Sequence, residues 1–74
     1  MEFAAGPRER LWRARRRHNI IDALLRNADD GWVLEFQRNG RSLMTWRFGT
    51  REAASVEAES RLRDLQRAGW NDHW

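Results

Sequence analysis

The stretch from Gly31 to Phe48 reads GWVLEFQRNGRSLMTWRF, and its reading decides the fold. Trp32, Leu34 and Phe36 alternate with Val33, Glu35 and Gln37. After Arg38-Asn39-Gly40 the alternation resumes, with Met44, Trp46 and Phe48 set against Leu43, Thr45 and Arg47. A period of two belongs to strands, and two such runs flanking an Asn-Gly pair predict a β-hairpin. Loop length then decides which faces coincide, because a register change of one residue turns every side chain over. A two-residue Asn39-Gly40 loop would place Trp32, Leu34 and Phe36 on the face of Leu43, Thr45 and Arg47, which splits the apolar set. A three-residue loop, Arg38-Asn39-Gly40 with Gly40 left-handed in a bulge, gathers Trp32, Leu34, Phe36, Met44, Trp46 and Phe48 on one face. The three-residue loop is therefore expected.

Downstream, Gly49 breaks the strand and Thr50 is a good N-cap for a helix that Gly69 ends as a left-handed residue, predicting a helix over 51–68. Ala54, Ala58, Leu62 and Leu65 make one narrow stripe along it. The pairs Glu57/Arg61 and Glu59/Arg63 support its surface at i,i+4. If Gly69 closes a Schellman turn, Leu65 and Trp70 are the residues that touch across it. Upstream, Ile20, Ile21, Leu24 and Leu25 suit a helical face, while Ile21, Ala23 and Leu25 also alternate as a strand would. Asp29-Asp30-Gly31 reads as a turn, and a third strand would give the helix a platform that a lone ribbon lacks. The expected fold is thus α+β: a three-stranded antiparallel meander (20–26, 31–37, 41–48) packed on one C-terminal helix. Residues 1–7 are expected to be a flexible N-terminus bounded by Gly6-Pro7, residues 8–17 a basic arm or short helix, and residues 18–74 a single small domain.

The chain has 74 residues, with 14 arginines, no lysine, 11 acidic residues, a formal charge of +3, five tryptophans and no cysteine. At this length folding buries only ~60% of the unfolded surface, so the core is small. The lack of cysteine excludes disulfide staples and thiolate metal sites. No apolar run is long enough to span a membrane, and Met1-Glu2-Phe3 lacks the basic-then-apolar order of a secretory signal, so a cytoplasmic location is expected. The arginines are unevenly spread. Residues 8–17 hold six against Glu9 alone, for a net +5, whereas residues 18–74 carry eight arginines against nine acids.

The strand-turn-strand-helix run, Trp32 to Arg38, a turn, then Arg47-Phe48-Gly49-Thr50-Arg51-Glu52-Ala53-Ala54, resembles the DNA-binding domains of plant ethylene-response factors and the arm-binding domains of phage-type integrases. The resemblance covers roughly half the chain and lies mainly in core and capping residues. It implies a three-stranded sheet on one helix whose open face enters the major groove. The whole chain also resembles a set of small bacterial proteins through Leu11-Trp12, Ile21 to Arg26, Gly31-Trp32, Gly40, Thr50-Arg51 and Gly69-Trp70, a likeness that implies no activity.

These features point to a non-enzymatic DNA- or RNA-binding accessory protein. Arg13, Arg15, Arg16 and Arg17 of the arm would supply affinity for phosphates. Arg26 and Arg47, with Arg38 and Arg41 near the turn, would be presented by the open sheet face beside Glu35, Gln37 and Thr45, a mixture able to meet base edges. Trp12 and Trp74 are the tryptophans left free for stacking, since Trp32, Trp46 and Trp70 have places in the core. The alternative is a protein-interaction module that dimerises or docks on a partner through the sheet edge and through Val33 and Leu43 on the open face. No catalytic constellation, metal set or cofactor motif is evident: His18 and Asp22 would meet only on a helix, His73 is remote, and the glycines stand singly.

Overall fold

The computed structural model describes residues 8–72. The expected N-terminal stretch 1–7, together with His73 and Trp74, lies outside the described residues. In chain order the elements are β1 (Glu9–Arg16), β2 (Asn19–Ala28), β3 (Gly31–Arg38), β4 (Arg41–Phe48), α1 (Arg51–Arg67) and a two-residue β5 (Asn71–Asp72). The strands form one antiparallel sheet in the order β4-β3-β2-β1-β5, so the architecture is α+β with an antiparallel sheet and one helix. The meander has one strand more than expected, and the chain adds a short strand after the helix.

The largest correction falls on residues 8–17, expected as a basic arm or short helix. They form β1, which pairs along β2 from Glu9↔Leu25 to Arg16↔Asn19. The sheet therefore begins well before residue 18. The cause is visible in the side chains: Trp12 and Ala14 are buried on the helix side while Arg13 and Arg15 point to the other face, a period-two pattern beneath the charge.

The β3–β4 turn corrects the loop as well. Arg38 pairs with Arg41, so the loop has two residues, Asn39 at φ +52° and Gly40 at φ +85°. Left-handed residues at both central positions match the twist of a tight hairpin. The apolar faces still coincide, because Gln37 pairs with Ser42 but Phe36 pairs with Met44, leaving Leu43 as an extra residue. This bulge sits two residues beyond the turn and restores the register that a two-residue loop would have inverted. A second bulge between Arg10 and Trp12 does the same on β1, turning Leu11 and Trp12 together toward the helix.

The core lies between the sheet and α1: Trp12, Ala14, Ala23, Leu25, Leu34 and Phe36 meet Ala54 and Ala58. The two alanines let the helix lie close to a face of large rings, large against small. Trp12 is only 3% exposed and its indole Nε1–H donates to the Ala58 carbonyl at 2.8 Å. It is therefore a core residue and not free for base stacking. Phe36 joins it to the half-buried Trp46, with ring centroids 5.6 Å and 5.4 Å apart. The helix ends are as expected. Thr50 accepts from the Ala53 N–H at 3.1 Å. At the other end the Gly69 N–H donates to Gln66 and the Trp70 N–H to Leu65, with Gly69 at φ +98°: a Schellman turn that brings the partly buried Trp70 onto the core.

Candidate nucleic-acid interface

Because β1 and β3 run one way and β2 and β4 the other, the Arg17-His18 turn and the Asn39-Gly40 turn come to the same end of the sheet. The Asp29-Asp30 turn and the start of α1 lie at the opposite end. Asn39 ties the two like-placed turns together. Its backbone N–H donates to the Ile20 carbonyl at 2.8 Å, and its side-chain oxygen accepts from the Ile20 N–H at 2.9 Å. Its amide nitrogen also donates to the Asn19 side chain at 3.2 Å. A left-handed asparagine thus closes one hairpin and clamps the neighbouring one.

Five of the sequence-predicted residues gather at this clamped end. Arg15, Arg16 and Arg17 come from one turn and Arg38 and Arg41 from the other, all exposed. No acidic residue occurs in 15–21 or 37–43, so the cluster is uncompensated by its own turns. Arg15 Nε donates to the Arg17 carbonyl at 3.0 Å, which holds part of the cluster in place. Arg16 Nε lies 3.7 Å from where a Cβ on Gly69 would stand, at the C-terminal end of α1, whose partial negative charge favours a cation. Arg17 sits at φ +56°, a left-handed conformation uncommon for a residue with a side chain. The opposite end is charge-balanced: Asp29, Asp30, Glu9 and Glu52, around the start of β1, the β2–β3 turn and the first turn of α1, stand among arginines, with Arg47 paired to Asp30 and Arg51 to Glu9.

The other three predicted residues are placed apart from this cluster. Arg13 lies on the face away from the helix and grips Asp22 with two hydrogen bonds, 2.6 Å from Nε and 3.2 Å from Nη2. Asp22 is 8% exposed, so the pair is a fixed part of the sheet. The hydrogen bond to Asp22, helped by its charge and opposed by burial, raises the Arg13 pKa above its ordinary value and keeps it a cation. Arg47 pairs with Asp30 at 2.7 Å at the opposite end. Arg26 stands mid-face, opposite Val33 on β3, whose other neighbour is Arg47. Arg8 reaches Glu35 at 3.5 Å on the same face. The open face is thus basic but largely paired internally, and Val33, expected there as an exposed docking residue, is 2% exposed.

The sequence does not show this cluster directly, because the two runs that build it, 15–17 and 38–41, are separated by β2 and nearly all of β3. Asn39, whose side chain can bond beyond its own turn, is the one signal in the sequence for it. Among the described residues no group of three or more histidines, cysteines or carboxylates is placed to hold a metal, and no helix is long and apolar enough to cross a membrane. No family model matches the chain, and neither a curated protein nor a solved structure matches it.

Proposed function

We propose that the protein is a non-enzymatic accessory that binds DNA or RNA by its backbone phosphates, through the end of the sheet where Arg15, Arg16, Arg17, Arg38 and Arg41 converge. The observation that carries this reading is the Asn39 clamp, which joins two arginine-bearing hairpin turns into one cationic surface. Guanidinium groups suit phosphate because their planar donors meet its oxygens in pairs. A surface prepared by backbone hydrogen bonds loses less side-chain and loop freedom on binding than a mobile arm would. Arg13 and Arg47 already have carboxylate partners and take a structural part. Arg26 and Gln37 on the open face contribute to orientation, in line with the groove-entering sheets that the sequence resembles.

The test is a salt series on duplex and single-stranded probes. Replacing Arg15, Arg17, Arg38 and Arg41 by glutamine should leave the fold intact, since all four are exposed and none supports the core. It should weaken binding and flatten the slope of log affinity against log salt by up to ~0.9 per lost contact on duplex and ~0.7 on single strands. Replacing Arg47 and Arg51, which pair with Asp30 and Glu9 at the opposite end, should change that slope little. A slope that is unchanged in the four-residue variant, or flattened equally by the Arg47/Arg51 pair, would contradict the assignment.

A further inference from the structure

The sheet has two edges, and they are treated differently. At one, β5 covers the end of β1 that lies beside the helix terminus, through Ala14↔Asp72 and Arg15↔Asn71. At the other, β4 runs for eight residues with β3 on one side and, among the described residues, no strand on its outer side. Between this edge and α1 lies a groove of about 220 Å³, walled by Trp12, Ile21, Phe36, Leu43, Met44 and Leu65. The bulge on β4 brings Leu43 onto the groove side next to Met44. There the two are 52% and 46% exposed, so the apolar floor continues onto the free edge.

We propose that this edge receives an extended, acidic and apolar segment of a partner protein, which adds to the sheet as a further strand beside β4. An added strand finds unpaired backbone groups on an edge, and its alternate side chains fall into whatever pocket flanks that edge. Here the pocket is the apolar groove, so every second residue of the incoming segment is apolar.

Charge sets the rest of its composition. β4 carries no acid; Arg41 and the Arg38 directly opposite it have no carboxylate partner among the described residues, while Arg47 is held by Asp30 and Arg61, at the groove rim above Trp46, by Glu57. The rim carboxylate, Asp64, is already engaged by Arg67 at 2.8 Å. A second copy of the chain would bring another Arg41 and Arg47 onto the same short ladder, and like charges across a ladder are destabilising. The arginines therefore bias the edge against self-pairing while favouring glutamate and aspartate.

The probe is an eight-residue peptide alternating glutamate with valine and phenylalanine, titrated into the full isotope-labelled chain and followed by amide shifts and by fluorescence anisotropy. Saturable binding with shifts confined to residues 42–48 and the facing turns of α1 is expected. A peptide with lysine for glutamate, or with proline at its centre, should bind at least tenfold more weakly. Met44→Gln and Leu43→Gln alter exposed side chains without adding charge and should keep the fold, checked by circular dichroism, while each lowers peptide affinity severalfold and leaves the salt slope for nucleic acid unchanged. No binding, equal binding of the lysine peptide, or shifts centred elsewhere would overturn the proposal. So would a concentration-dependent dimer in sedimentation that Met44→Gln abolishes, because the edge would then belong to a second copy.

Discussion

Trp12→Ala should remove a large share of the protein's stability. A domain of this length is stable by roughly 4–11 kcal/mol at the usual value per residue, and deleting a buried tryptophan costs ~3–5 kcal/mol. Trp12 sits where β1, β2, β3 and α1 meet, against Ala23, Phe36 and Ala58. Two alanines form the fully buried part of the helix face, so little neighbouring bulk is available to fill the hole. Trp12→Phe separates volume from polarity. It keeps most of the packing but loses the donor to the Ala58 carbonyl, and should cost about 1–2 kcal/mol. Urea denaturation followed by circular dichroism measures both. A Trp12→Ala loss below about 1 kcal/mol would show that β1 is not integral to the core.

The second large effect is expected at Gly31→Ala. Gly31 opens β3 at φ +153°, a backbone region open essentially to glycine alone, and a Cβ there would stand 2.5 Å from the Phe48 carbonyl oxygen. Strain of about 1–3 kcal/mol adds to the cost of pushing the β3 and β4 ends apart, for roughly 2–5 kcal/mol in all. Gly40→Ala is the matched control. It also has positive φ, but nothing lies within 4 Å of its added carbon, so only the strain of a left-handed alanine remains. That is about 1 kcal/mol. Equal losses at the two glycines would mean that the close approach at Phe48 does not matter.

The elements with strong local punctuation were legible in the sequence. Thr50 and Gly69 bracket the helix, and the Trp32-to-Phe48 alternation assigns six apolar residues to the face that packs on it. The loop between those strands is not legible, because a bulge can be displaced from its turn and Leu43 looks like any other strand residue. β1 was hidden for a different reason. Its apolar period is only Trp12 and Ala14, interrupted by a bulge at Leu11 and flanked by arginines, so charge density outweighed periodicity. Its turn gave no help either, since Arg17 takes a left-handed conformation for which glycine or asparagine is the usual sign. Once β1 is a strand, a basic tail becomes half of a basic surface whose other half comes from 38–41. That convergence depends on strand order, which the residues along the chain do not spell out one by one.

The most direct measurement is a titration of the isotope-labelled chain with a short duplex at low salt, read residue by residue from amide shifts. Changes concentrated at Arg15 to Asn19 and Arg38 to Arg41, reversed by added salt, with the Asp29-Asp30-Gly31 turn unmoved, are the predicted result. Shifts centred on the Asp29-Asp30 end, or none at the two clamped turns while binding is evident by another probe, would contradict the account.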